Sequence, residues 1–181
     1  MIDKNFLKET ATQLNDLANL VEQVDFDEKK EISINFDSIN ADKANKVCDE
    51  LSTWGKKNKE SRYIYIIQAN NKTDIDKCYQ QYEIAKTNKV GSRAYARLNK
   101  PSSVFYVGSS SSLGTRIKQH LGFGPQGTFA LQSTYWSKEI SGKLNITIWR
   151  FSKQTSQAVI QAVEDGLWEK YKPMFGRRGA R

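Results

Sequence analysis

Four side chains in the later two-thirds of the chain have the types and spacing to act on a phosphate: Tyr106, Arg116, His120 and Glu164. Tyr106 lies in residues 104–107, whose β-branched and aromatic side chains suit a half-buried strand. Gly108 and the serines at 109–112 make a turn, and Ser111 or Ser112 can cap the helix that follows. Within that helix Leu113, Ile117 and Leu121 recur every four residues as the buried stripe, and Arg116 and His120, also four apart, share the stripe beside it. A phenol at the end of a strand, with a guanidinium and an imidazole on the next helix, can grip and activate a phosphate.

The fourth group stands on the last helix, predicted over 155–171 and stopped by Pro173. Ile160, Val163, Leu167 and Tyr171 form its core stripe, and Glu164 projects from that same stripe while Asp165 points away. A carboxylate aimed at a core costs several kcal/mol unless it is paired. Either a basic side chain neutralises Glu164 or it holds a metal, and the basic surroundings favour the metal.

The elements that must position these groups follow from periodicity. Alternation predicts strands over 62–68, 104–107 and 144–151, and a short half-buried one over 31–37 with Ile32, Ile34 and Phe36 on one side. Helical spacing marks 5–24, 41–57 and 74–87, the last bearing Ile75, Cys78, Tyr82 and Ala85. Residues 121–136 are a glycine-rich loop running into an apolar helical turn. The polar stretch 56–62 is the expected boundary between an N-terminal extension, 1–60, and a larger domain, 61–181. The extension is a packing element, or else a specificity or dimerisation element.

Charge divides the chain in the same place. Residues 1–60 carry 9 Lys and Arg against 13 Asp and Glu, a net of −4, whereas 61–181 carry 19 against 7, a net of +12. A basic surface interleaved with Tyr and Trp points to nucleic acid. Residues 86–100, holding Lys86, Lys89, Arg93, Arg97 and Lys100, form a phosphate-contacting loop or a solvated connection. The acidic extension could also cover the basic face until DNA displaces it. Cys48 and Cys78 have no CxxC spacing and the chain has one histidine, so a structural zinc site lacks ligands and free thiols are expected. No apolar run reaches membrane-spanning length, and the first 24 residues read as an amphipathic helix rather than a secretion signal, so a cytoplasmic location and no membrane partner are expected.

Taken in order, Tyr63-Ile64-Tyr65, then Tyr106-Val107-Gly108, Arg116 ten and His120 fourteen residues after Tyr106, and Glu164 on a helix before Lys172-Pro173 resemble the GIY-YIG nuclease domain over residues 62–177. Tyr63 replaces the first glycine of the family name, and Ser109 stands where lysine is frequent. Residues 70–100 are an insertion between the motifs, and Gly176 stands where an asparagine often follows the closing proline. The resemblance implies an α/β fold, a three-stranded antiparallel sheet flanked by helices, and a DNA endonuclease using one divalent cation, Mg2+ or Mn2+, with RNA not excluded as substrate.

It further implies Glu164 as the metal ligand and Tyr106 as the general base, its phenolate favoured by Arg116 and the metal over an ordinary pKa of about 10. Arg116 is implied as the stabiliser of transition-state charge, with Tyr65 orienting water or phosphate and His120 contacting phosphate or assisting the tyrosine. Ser109, Lys118, Lys89, Arg93 and Arg97 are the candidate nucleic-acid contacts. Cutting both strands with one site per chain suggests a homodimer. The alternative is a binding module that keeps the fold without turnover.

Overall fold

A computed structural model of the protein describes residues 2–56 and 61–179, so the expected boundary at 60/61 falls at a stretch, 57–60, outside the described residues. Helix α1 (Lys4–Gln23) is followed by β1 (Glu28–Asn35), α2 (Ala41–Lys56), β2 (Arg62–Ala69), α3 (Ile75–Thr87), β3 (Val104–Ser110), α4 (Leu113–Leu121), β4 (Lys143–Phe151) and α5 (Gln157–Tyr171).

The class is α/β with an antiparallel sheet, as expected, but the sheet has four strands rather than three, in the order β1-β4-β2-β3. The additional strand comes from the acidic N-terminal segment. Its alternation of Ile32 and Ile34 with polar residues gives one face to the core, and it pairs with β4 from Glu28↔Arg150 to Asn35↔Lys143. Asp27 and Glu28 pair with the buried Arg150 at 3.8 and 3.0 Å, and Trp54 of α2 lies against the same guanidinium while donating to Glu28 at 2.7 Å.

Helix α2 then packs along α4. The contact is close because Gly114 of α4 has no side chain: a Cβ there would stand 2.5 Å from the Cys48 carbonyl oxygen. Ile34, Phe36, Val47 and Leu51 sit in the main core with Phe105, Ile117 and Leu121. A segment packed this way does not lift off like a flap, since leaving would strip a strand from the sheet and open the core.

The main core lies between one sheet face and α2, α3 and α4. Residues 70–100 are part of it, with the Tyr82 ring 4.1 Å from Phe175 and edge-on to Trp136 and Tyr95. Helix α5 covers the opposite face, where Ile64, Phe151 and Ile160 form one cluster and Ile66, Val104 and Val107 another. Cys78 is buried, its thiol pushed up to about 12 by burial, and Cys48 is also free. Tyr171, expected in the stripe of α5, is instead 37% exposed at the last residue of the helix. None of the described helices is long and apolar enough to cross a membrane.

Candidate functional site

The site forms at the β2–β3 end of the sheet, where β3 is an edge strand. A bulge sets its geometry. Ile67 pairs with Tyr106 and Gln68 with Val104, so Phe105 is an extra residue in β3. Phe105 and Tyr106 can therefore face the same side: Phe105 is fully buried in the core and Tyr106 lies half-buried at its rim. Two residues on, Gly108 faces Tyr65 across the strands. A Cβ at Gly108 would sit 2.7 Å from Tyr106 Cε1 and 2.9 Å from Tyr65 Oη, so the bare backbone is what lets the two phenols stack with ring centroids 6.2 Å apart.

Helix α4 brings Arg116 and His120 to these phenols. Arg116 Nη2 donates to Tyr106 Oη at 3.1 Å and to the Phe129 carbonyl at 3.2 Å, while Nη1 donates to Gln119 Oε1 at 3.0 Å. His120 is completely buried. The Leu131 backbone N–H donates to Nδ1, so the proton of the neutral ring lies on Nε2, which is 3.0 Å from Tyr65 Oη and donates to it. Burial, and then the Arg116 charge, hold the imidazole pKa well below its usual range. Tyr65 is raised far above an ordinary phenol, chiefly by burial and then by Tyr106, with Arg116 opposing. The two tyrosines thus differ: Tyr65 is a fixed, protonated phenol, and Tyr106 faces the open space.

Glu164 comes from the other side of the strand edge. It is 7% exposed and lines the cleft beside Ser109. Burial lifts its carboxyl above the usual range, Ser109 pulls it down, Asp165 pushes it up, and Arg116 lowers it. No cation among the described residues forms an ion pair with it. Tyr65, Tyr106, Arg116 and Glu164 all line one cleft of about 390 Å³. His120 stands behind it, hydrogen-bonded to Tyr65 and with its ring 4.4 Å from that of Tyr106.

The predicted nucleic-acid contacts scatter more widely. Ser109 lines the cleft. Lys118 is half-buried on α4, and Lys89 and Arg97 are exposed outside the cleft. Arg93 is committed to protein partners, donating to Tyr135 Oη at 2.9 Å and to the Gly124 carbonyl at 2.6 Å while stacking on the Tyr135 ring.

Other members of the site were not singled out from sequence. Gln157 and Gln161 line the cleft from α5, and with Glu164 they make a polar row at spacings of four and three that the helical pattern does carry. Arg177 was not singled out either. With Arg97 it lies close enough to Lys86 to lower that ammonium's pKa, after burial, and so extends the basic surface beside Gly176.

Gly176 itself has φ +96°, and a Cβ would meet Tyr106 Cε2 at 2.8 Å. The turn it closes is held by Asn99, whose side-chain amide donates to the carbonyls of Pro173 and Gly176, both at 3.0 Å. Residues 174–175 donate to Val104 and Phe105 at the bulge. A supporting amide is therefore present, but it arrives from residues 70–100.

Residues 93–178 match the family model described as the GIY-YIG catalytic domain. That match supports a GIY-YIG nuclease superfamily domain. The match holds Tyr106, Arg116, His120 and Glu164 and begins after β2, so Tyr65 lies upstream of it even though β2 pairs directly with β3. The GIY-YIG family is one of endonucleases, generally dependent on a divalent metal, and the match supports a nuclease-type function at the level of the family. No curated protein and no solved structure matches the chain.

Proposed function

We propose that this GIY-YIG protein hydrolyses phosphodiester bonds in DNA, with Tyr106 as general base, Arg116 as the group that binds developing phosphate charge, and Glu164 as the protein ligand of one divalent cation. The observation that carries it is the convergence of a half-exposed phenol, a guanidinium bonded to that phenol and a buried, cation-free carboxylate on a single cleft.

Among the described residues no three His, Cys, Asp or Glu side chains cluster, so a cation here rests on one carboxylate, with the remaining positions left to water and phosphate oxygens. That donor set fits magnesium, or manganese in its place, and the unpaired state of Glu164 is what such a cation would relieve. When bound, the cation supplies Lewis acidity and neutralises charge on the scissile phosphate.

The chain's own groups do the rest. Acting as the phenolate, Tyr106 Oη takes a proton from the attacking water and becomes the neutral phenol, while Arg116 Nη2 stays hydrogen-bonded to Tyr106 Oη. The water oxygen bonds to phosphorus as the bond to the leaving oxygen breaks, and that leaving oxygen is protonated from solvent. The guanidinium, clamped by Gln119 and the Phe129 carbonyl, is pre-oriented and loses little freedom when phosphate oxygens arrive. Tyr65 already accepts from His120 Nε2, which leaves its own proton to orient a water or a phosphate oxygen. Ser109 favours the ionised form of Glu164. Gly108 and Gly176 leave Tyr106 the room it needs. Lys89, Arg97 and Arg177, exposed outside the cleft, are proposed to track the DNA backbone, with Lys118 a further contact on α4.

Magnesium-dependent cleavage of plasmid, phage DNA and RNA, comparing wild type with Glu164→Ala, tests this reading. Cutting of DNA by wild type alone is the expected result. Salt-sensitive binding by both proteins with cutting by neither would replace it with a non-hydrolytic binding module, and cutting of RNA alone would change the substrate.

A further inference from the structure

We propose that Arg62, with Ser110 and Ser111, holds the phosphate next to the scissile one, in a second cleft that opens off the first. This inference rests on the nuclease reading and adds a subsite to it.

Arg62 is the first residue of β2, and the pairing of Tyr63 with Ser110 brings it to the end of the sheet where β3 runs into its serine turn. Strand alternation turns Arg62 to the α5 side, away from Tyr65. There it lines a cleft of about 220 Å³ with Ser109, Ser110, Ser111 and Gln157. Ser109 and Gln157 also line the cleft that holds Glu164, so the two form one trough passing over the end of β3.

The guanidinium in this trough is under-used. Nη1 donates to Gln157 Oε1, Nε has no acceptor, and no described carboxylate pairs with it. A buried guanidinium N–H without an acceptor is costly, and a phosphate oxygen is the acceptor whose geometry fits the fork. The serines suit the same ligand: Ser110 Oγ accepts from the Ser112 N–H at 3.0 Å and keeps its own proton to donate, and Ser111 is exposed. No acidic side chain lines the cleft or stands in the first turn of α5, which forms its far wall.

Since a nucleic acid presents a phosphate at every nucleotide, a basic subsite continuous with the catalytic cleft takes the neighbouring one. Contacts of this kind set register without reading sequence. Arg62 is thus a binding residue, one that adds affinity for the neighbouring phosphate without touching the reacting atoms.

The test is binding of a fluorescent mixed-sequence DNA duplex by the full chain in a Glu164→Ala background, across about 50 to 200 mM salt. Arg62→Gln is expected to reduce the salt slope by about 0.9, one phosphate's share, and to weaken binding about tenfold at the lower salt. Arg62→Lys should keep most of the slope. With Glu164 intact, Arg62→Gln should raise KM while kcat stays within about twofold, the signature of uniform binding.

Ser111→Glu places a carboxylate at the exposed rim of the cleft and is expected to weaken binding at least as much, so it decides the matter if Arg62→Gln fails to fold. DNA binding with an unchanged slope in both variants overturns the subsite and leaves the nuclease reading standing. No salt-dependent binding in the parent, with no cutting by wild type, overturns both.

Discussion

Gly108→Ala is the smallest change that should separate the two tyrosines from their task. The new methyl would stand 2.7 Å from Tyr106 Cε1, 2.9 Å from Tyr65 Oη and 3.1 Å from Tyr65 Cζ, all inside the roughly 3.5 Å at which carbon contacts become favourable. The backbone at Gly108 lies outside the left-handed region, so the penalty is one of space. Tyr65 cannot yield, because it is completely buried and bonded to His120. Tyr106, half-exposed, must swing instead and lose its 3.1 Å bond from Arg116.

Overpacking of this kind costs about 1–3 kcal/mol, which for a chain of this length lowers Tm by roughly 3–10 °C. The effect on rate should be larger, because a displacement of about 1 Å at a reacting group costs on the order of 100-fold. Single-turnover nicking of supercoiled plasmid, with Tm measured by circular dichroism on the same samples, reads both. A variant that melts with the wild type and cuts at the wild-type rate would refute the placement of Tyr106 against this backbone.

Glu164→Gln should have opposite effects on stability and activity. The folded carboxyl is raised, so ionisation opposes folding: stability present below the unfolded value of about 4.3 is lost as pH rises through the folded value. The variant should therefore melt above wild type at pH 7 without metal and lose that advantage below about pH 4, and wild type alone should cut DNA and gain Tm on adding magnesium. His120 works in the other direction. Its folded pKa is depressed, so stability should fall as pH drops from about 6.5 toward the folded value, and His120→Gln in the Glu164→Gln background should flatten that slope between about pH 6.5 and 5; parallel slopes would show that the ring is not buried neutral. Asn99→Ala leaves two carbonyls short of a donor and should lower Tm by several degrees and slow cutting through Tyr106, whose ring rests on Gly176. Equal rates for Asn99→Ala and wild type would detach that turn from the chemistry.

Much of the site was legible because its parts are local. Tyr106, Arg116 and His120 fall within one strand, turn and helix, where spacing fixes geometry, and Glu164 stood out as a carboxylate in an apolar stripe. The rest depends on long-range pairing. Alternation around Ile32 and Ile34 reveals a strand but cannot name its partner, which lies more than a hundred residues away in β4. Asn99 looks like any loop amide until residues 173–176 fold back on it. Arg93 and Arg97 are indistinguishable in sequence, and only the packing of Tyr135 shows that one is tied down while the other is exposed. The bulge at Phe105 is equally silent, since two adjacent aromatics do not say which of them will be the extra residue.

The fourth strand has a consequence for how this fold can be moved. A fragment cut at the sequence boundary near residue 61 would keep Tyr65, Tyr106, Arg116 and Glu164 yet leave β4 with a bare edge and α4 without the helix that Gly114 receives. The transplantable unit therefore starts before Glu28, and the joint for grafting a DNA-reading module is the stretch between α1 and β1, not the charged connection that the composition advertises.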